Sequence, residues 1–255
     1  MQLRYSYRTL LTFSSMVSSH TFMLRCVPYL CWFQHRLCHT TSVIPHCEVT
    51  SGCDSFGNVV QTGYVAGLHD AFMFESTGIV DVSMHVLSEP LNRIFCYASP
   101  LTTASPEMLE MVKQIDVPTS EVDRWVAALS ARLHLCFDYV SGTTDVTTTA
   151  AEAFQQHHGV CQDFAHISIA MGRAAGIPMR YVNGFMMGEG ATHAWVEYYN
   201  GSTWLAFDPT NDRPVDDTYI KLAHGRDFND CSINRGRFCG QTSQTIHVSV
   251  LVTKV

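Results

Sequence analysis

The sequence has no long apolar run, and no stretch approaches the about 18 residues that a membrane-spanning helix needs. Basic residues are also few: the chain has 16 lysines and arginines and 23 aspartates and glutamates. The resulting net charge is −7, whereas general nucleic-acid-binding domains are usually basic. These two absences argue against a membrane protein and against a nucleic-acid binder.

Familiar metal motifs are missing as well. The chain has no C-x-x-C pair and no H-E-x-x-H helix motif, which mark redox or zinc sites and zinc proteases. Cysteine and histidine do cluster between Cys31 and Cys47, but their spacing fits no common zinc module. We therefore favour scattered thiols and surface histidines over structural zinc, and we predict neither a metal nor a cofactor.

The sequence shows no secretory signal, which would combine a basic start with an apolar middle. Instead Leu3, Tyr5 and Tyr7 alternate with polar residues, which predicts a half-buried strand. The chain has ten cysteines, most of which would stay free thiols in a reducing compartment. We expect a cytoplasmic protein.

What the sequence does contain is typical of a globular α+β protein. Hydrophobic residues make up 46% of the chain and charged residues 15%. Short β-branched and aromatic runs fill the first part, and a Ser- and Pro-rich stretch at 99–106 marks a linker. We predict a sandwich-like all-β domain at 1–100 and a second domain, with helices and strands, at 101–255.

The second part begins with helical patterns. Apolar residues recur at helical spacing over 108–115, 122–133 and 161–174, and the last pattern stops at Gly176 and Pro178. The strand "MRYVNGFMM" follows, then a hairpin, and "QTIHVSVLV" reads as a final strand. The expected arrangement is a set of helices followed by an antiparallel sheet.

Cys161 is placed in the first turn of the third helix. Unpaired backbone N–H groups and the helix dipole favour a thiolate at such a position. His166 lies five residues on, about 140° round the helix, and Asp163 also points away. A base for this cysteine must therefore come from another segment.

The hairpin supplies a candidate base. Asn200-Gly201 between alternating apolar runs favours a two-residue loop. This register places His193 opposite Asp208, where a carboxylate can fix the tautomer of the ring. A three-residue loop would make the pair diagonal, which is still within reach. Each residue alone has a structural explanation, but together they indicate Cys161 as nucleophile, His193 as base and Asp208 as orienting acid.

These residues also carry a family resemblance. The stretches "GVCQDFAHISIAMGRAAGIPMRYVNGF", "HAWVEYY" and "WLAFDPTND" resemble the core of bacterial transglutaminase-like proteins, and "DSFGN" at 54–58 resembles their N-terminal β-domain. The resemblance implies a papain-like fold, with a helix packed on an antiparallel sheet. It also implies a Cys–His–Asp catalytic triad at Cys161, His193 and Asp208, as in a cysteine protease.

The expected activity is acyl transfer through a thioester on peptide or glutamine-type amides. We expect hydrolysis, as in a protease, peptidase or deamidase; a protein-crosslinking transglutaminase or a non-catalytic scaffold on the same fold are the alternatives. An acyl-CoA-dependent arylamine acetyltransferase is disfavoured, because the β-domain comes first. The oxyanion hole should use the backbone N–H of Cys161 and a side chain for which Tyr139 is a candidate. The expected partner is a peptide or protein substrate, with no nucleic acid and no membrane.

Overall fold

The structure is a computed structural model that describes residues 1–255. The first part of the chain contains six strands: β1 (Gln2–Leu24), β2 (Gln34–Ile44), β3 (Val49–Cys53), β4 (Val59–Val65), β5 (His69–Val82) and β6 (Val86–Leu87). The later strands are β7 (Asp138–Tyr139), β8 (His158–Gly159), β9 (Met179–Met186), β10 (Gly188–Gly190), β11 (His193–Tyr199), β12 (Trp204–Asp208), β13 (Arg213–Pro214), β14 (Tyr219–Gly225), β15 (Asn234–Cys239) and β16 (Gln244–Lys254). The helices are α1 (Pro106–Lys113), α2 (Val122–Cys136), α3 (Ala150–Gln156), α4 (Cys161–Ala174) and α5 (Phe228–Cys231). None of them combines the length and apolarity needed to cross a membrane.

The long strand β1 organises the eight-stranded sheet. Its first half pairs antiparallel with β5 on one side and β16 on the other. After an irregularity between Thr12 and Val17, its second half pairs with β4 and β15. Leu3, Tyr5 and Tyr7 are buried, as their alternation with polar residues predicts. One strand therefore contributes side chains along the whole N-terminal core.

The last two strands return to this N-terminal sheet. We predicted a final strand at the end of the chain, and β16 is that strand. Its partner, however, is β1, so residues 234–254 complete the sheet that the first part of the chain begins. The boundary at residue 100 remains a prediction, and the pairing was not foreseen from the sequence.

The second sheet has the strand order β13-β12-β11-β9-β14, with β6 added beside β12. Helix α4 packs on β9 and β11, and most of its residues are buried. The core between helix and sheet includes Phe164, Ile167, Tyr181 and Val196. This confirms the predicted α+β arrangement of a helix on an antiparallel sheet.

The three predicted helices occur as α1, α2 and α4, and Gly176 adopts a positive φ of 83° just past the end of α4. Helix α3 was not predicted. Its signal is nonetheless in the sequence, because Thr149 accepts a hydrogen bond from the Glu152 backbone and Glu152 reaches back to the Thr149 N–H. This capping box marks a helix start.

The two sheets are bonded to each other through buried amides. Gln34 is fully buried, donates to the carbonyls of Tyr29 and Lys221, and accepts from the Lys221 N–H. Asn58 makes the same kind of reciprocal pair with the backbone of His224. Side chains from β9 and β14 complete the N-terminal core; they are Phe185, Ile220 and Leu222. The second sheet thus depends on the first for part of its burial.

Candidate active site

Helix α4 begins at Cys161, as the sequence predicts. Val160 is extended, and its N–H donates to the Asp163 carboxylate at 2.8 Å. The carboxylate three residues later in the chain thus caps the start of the helix. Asp163 also accepts from the Thr144 hydroxyl at 2.7 Å. Cys161 is only half-buried. The thiol is therefore at a fixed helix N-terminus and remains within reach of solvent.

Gly159 has no room for a side chain. A Cβ built there would lie 2.5 Å from Oδ2 and 2.7 Å from Cβ of Asp163. The close approach exists because Asp163 is almost fully buried beneath the turn that precedes Cys161. Burial raises the pKa of Asp163, while hydrogen bonds from Val160 and Thr144 oppose that rise. The glycine before the nucleophile is thus required by the cap of the helix.

The neighbouring histidine on α4 does not face the thiol. His166 is fully buried, and its Nε2 accepts a hydrogen bond from the Phe228 N–H at 3.1 Å. Burial lowers the pKa of His166 to about 3, which keeps the ring neutral. This agrees with the expectation that the base comes from a different segment.

The predicted hairpin loop is wrong in length. The strands β11 and β12 pair Tyr199 with Trp204, so four residues and not two form the loop. The cause is Asn200, whose side chain accepts the backbone N–H groups of Ser202 and Thr203 and so extends the turn. His193 is therefore not directly opposite Asp208 but one diagonal step away, on the same face of the sheet.

The diagonal pair is nevertheless in contact. Nε2 of His193 donates to Oδ2 of Asp208 at 2.7 Å. Asp208 is fully buried, and its Oδ1 accepts the N–H groups of Thr210 and Asn211, which fixes the carboxylate at the strand end. Burial would raise the pKa of Asp208, but the hydrogen bond and charge of His193 hold it below its usual value. The pair is an ion pair in the folded protein.

The thiol of Cys161 completes the arrangement. Because Asp208 occupies Nε2, Nδ1 is the ring nitrogen left for the sulfur. Burial would lower the pKa of His193, but hydrogen bonds to Asp208 and to Cys161, together with their charges, raise it to about 10. The structure thus brings together the three residues that the sequence singled out.

Tyr139 lies close to the same place. Strand β7 runs parallel to β8, with Tyr139 paired to Gly159, two residues before Cys161. Burial and the charge of Cys161 raise the pKa of this tyrosine, although its side chain is more than half exposed. The candidate oxyanion donor is therefore beside the thiol rather than across the molecule.

Sequence reasoning missed a further group around Asp208. The hydroxyl of Tyr219 donates to Oδ2 at 2.8 Å, and Nδ2 of Asn211 donates to the same oxygen at 2.6 Å. The turn after Asp208 could have been found, because an aspartate side chain tends to accept the backbone N–H two residues on, here that of Thr210. Tyr219 could not, because it comes from β14, on the far side of β9 from β11.

No group of three or more His, Cys, Asp or Glu side chains is arranged to hold a metal ion. Of the histidines and cysteines between Cys31 and Cys47, only His35, Cys38 and His39 lie in β2, and Nδ1 of His39 is 2.7 Å from the hydroxyl of Tyr5. All ten cysteines are free thiols.

Two family models match the chain. The transglutaminase-like superfamily model matches residues 110–209, which include all three residues of the site, and the model of the bacterial transglutaminase-like N-terminal region matches residues 3–81. The chain belongs to the transglutaminase-like superfamily. This is a superfamily of thiol-dependent enzymes, and the match agrees with the resemblance seen in the sequence.

Individual relatives extend the comparison. An uncharacterized protein of Mycobacterium leprae, ML0607, is 38% identical over 128 residues, which cover 46% of this chain and 46% of that protein. The uncharacterized protein Rv2569c of Mycobacterium tuberculosis is 29% identical over 285 residues, covering 97% of this chain and 91% of that protein. The chain thus spans less than half of the first relative and most of the second.

A solved structure shares the fold. A candidate cysteine protease from Cytophaga hutchinsonii superposes with a TM-score of 0.79 at 24% identity, over 100% of this chain and 93% of that one. The arrangement of both sheets and α4 is therefore a fold that this second protein also adopts.

Proposed function

We propose that this protein is a thiol-dependent acyl-transfer enzyme that acts on peptide or glutamine-type amides. Cys161 is the nucleophile, His193 the general base and acid, and Asp208 the residue that orients the imidazole. The observation that carries the proposal is the hydrogen bond of 2.7 Å between His193 and Asp208, together with the effect of the Cys161 thiol, at the start of α4, in raising the pKa of the same ring.

The proposed reaction has two halves. The thiolate of Cys161 bonds to the carbonyl carbon of the amide, the C–N bond breaks, and His193 delivers its proton to the departing nitrogen. The product of this half is a thioester. In the second half, His193 takes a proton from water, the hydroxide oxygen bonds to the carbonyl carbon, and the C–S bond breaks to release the acid and restore the thiolate.

The developing oxyanion needs donors in a fixed place. The backbone N–H of Cys161 is one, because the first N–H groups of a helix have no partner within it. We propose the hydroxyl of Tyr139 as the second donor. Its support is the pairing of β7 with β8, which holds the tyrosine beside the turn that carries the nucleophile.

Hydrolysis is the form of acyl transfer that we propose. The support is exposure, because Cys161 is half-buried and the side chain of His193 remains 12% exposed, so water has access to the thioester. A lysine amine in the place of water would give protein crosslinking instead, with the same three residues. An assay must therefore determine whether water or an amine reacts with the thioester.

Activity profiling on a peptide library tests the proposal. Peptide cleavage, ammonia release and incorporation of a labelled amine are scored in the same samples, with Cys161→Ala as the control. We expect cleavage or ammonia release that disappears in Cys161→Ala. Ammonia release accompanied by a matching amount of incorporated amine would identify a transglutaminase, because the glutamine nitrogen departs as ammonia when the thioester forms. No Cys161-dependent product of any kind would favour a scaffold protein.

We also propose a cytoplasmic location, supported by the ten free thiols. Disulfides form readily in oxidising compartments. Thiol titration of the protein isolated from its host under alkylating conditions should give ten reduced cysteines, whereas a native disulfide would contradict this location.

A further inference from the structure

The carboxylate of Asp208 receives more donors than an orienting acid needs. Besides His193, its Oδ2 accepts the Tyr219 hydroxyl at 2.8 Å and Nδ2 of Asn211 at 2.6 Å. Tyr219 is fully buried, and its ring packs edge-on to Trp195 with the centroids 5.5 Å apart. A phenol held this rigidly against a carboxylate restricts the rotation of that carboxylate.

Arg213 determines the direction of the phenol proton. Its Nε and Nη2 both donate to the Tyr219 oxygen, at 3.1 and 3.0 Å. A guanidinium has five N–H donors and no acceptor. The single hydroxyl proton of Tyr219 therefore cannot point to Arg213 and is directed to Oδ2 of Asp208. Arg213 thus ensures that the Tyr219 hydroxyl donates to Asp208.

We propose that Tyr219, backed by Arg213, is a positioning residue for the acyl-transfer reaction, which holds Asp208 in the orientation that His193 requires. The proposal rests on the proposed function but concerns residues that the triad does not include. Tyr219 acts through Asp208 and His193 and does not contact the thiol. Hydrogen bonds to a charged group are stronger than those between neutral groups, so the loss of this one is measurable at the imidazole.

The test compares Tyr219→Phe with a matched control. Tyr219→Phe removes only the hydroxyl and keeps the ring that packs on Trp195. Tyr64→Phe removes a hydroxyl from an exposed tyrosine of the N-terminal sheet. A second variant, Arg213→Ala, changes an exposed residue and leaves the phenol in place. It therefore tests the hydrogen bond from Tyr219 to Asp208 even if Tyr219→Phe does not fold.

Two measurements that need no substrate are made on each variant. One is the rate at which iodoacetamide alkylates Cys161 between pH 5 and 9, and the other is the nitrogen NMR signal of the His193 ring. We expect Tyr219→Phe to slow alkylation at pH 6 by about three- to tenfold and to shift the His193 signal. Arg213→Ala should do the same to a smaller extent, and Tyr64→Phe should match the wild type.

The outcomes separate this proposal from the proposed function. An alkylation profile and a His193 signal that are unchanged in both Tyr219→Phe and Arg213→Ala would overturn the positioning role. A shifted His193 signal in these variants supports it, even if the wild-type protein releases no product from any peptide. In that case the acyl-transfer function fails while the positioning of Asp208 stands.

Discussion

At the scale of single residues, His193 is the group whose charge links structure to chemistry. Its pKa is raised to about 10, so the folded protein holds this proton more tightly than the unfolded chain, where histidine titrates near 6.5. The resulting stabilisation is complete below about pH 6.5 and is lost as the pH rises through about 10. Asp208 behaves in the opposite way, because its lowered pKa gives stability that is lost below its usual value of 3.8.

These shifts predict how the stability of a His193→Gln variant depends on pH. At pH 6 we expect the free energy of unfolding to fall by about 2 kcal/mol relative to the wild type, the usual size for a hydrogen bond to a charged group. The difference should shrink towards pH 10, where the wild-type imidazole loses its proton. Urea denaturation at several pH values measures it, with the exposed His134→Gln as control. A difference that stays constant from pH 6 to 10 would contradict the assigned ion pair.

Tyr139 gives a second prediction at this scale. If its hydroxyl donates to the oxyanion, Tyr139→Phe should lower kcat by about a hundredfold and leave KM nearly unchanged. Alkylation of Cys161 by iodoacetamide should not change, since that reaction forms no tetrahedral oxyanion. The exposed Tyr97→Phe serves as control. A kcat equal to that of the wild type would assign the second donor to another group.

At the scale of elements, the start of α4 determines where the thiol lies. The turn from Gly159 to Cys161 packs directly on the side chain of Asp163, and the Asp163 carboxylate in turn holds the loop at Thr144. The start of the helix that bears the nucleophile is therefore held by contacts that do not involve His193.

Gly159→Ala tests this packing. The added methyl group would lie 2.5 Å from the Asp163 carboxylate, so the turn or the cap must move. We expect a loss of about 1–3 kcal/mol in the free energy of unfolding, as for other overpacked sites, together with slower alkylation of Cys161. Gly52→Ala is the matched control, because nothing lies within 4 Å of a Cβ built there. Equal effects of the two substitutions would exclude the steric role.

Elements with local sequence signals were predicted correctly, and the hairpin loop was not. The helical periodicity and the Gly176 stop predicted α4 and hence the place of Cys161, because both signals are local. The predicted length of the hairpin loop was wrong. The side chain of Asn200 accepts the backbone N–H groups of Ser202 and Thr203, and this replaces the two-residue turn that Asn-Gly favours. His193 and Asp208 still meet, because a shift of two residues in register keeps both on one face of the sheet.

At the scale of the whole molecule, the two sheets depend on each other. The chain begins and ends in the same sheet, and Gln34 and Asn58 bond the first part of the chain to the backbone of β14. Such pairings between distant strands leave no local pattern in a single sequence. For the same reason neither the return of β16 to β1 nor the contact of Tyr219 with Asp208 could be predicted.

Gln34→Ala tests this coupling. The substitution would leave the buried N–H and C=O of Lys221 without the partners that Gln34 provides. We expect a loss of about 2–4 kcal/mol in the free energy of unfolding and a single transition in which both parts of the chain unfold together. Urea unfolding followed by tryptophan fluorescence measures it, with the exposed Gln155→Ala as control. Two separate transitions in the wild type would show that the parts are independent.

The alkylation of Cys161 at pH 6 tests the central claim most directly. Iodoacetamide reacts with thiolates, and peptide mapping gives the rate at each of the ten cysteines in one experiment. We predict that Cys161 reacts at least about tenfold faster than the exposed Cys136 and Cys239, and that His193→Ala abolishes the difference. A Cys161 that reacts no faster than those two thiols in the wild-type protein would contradict thiol catalysis at this site.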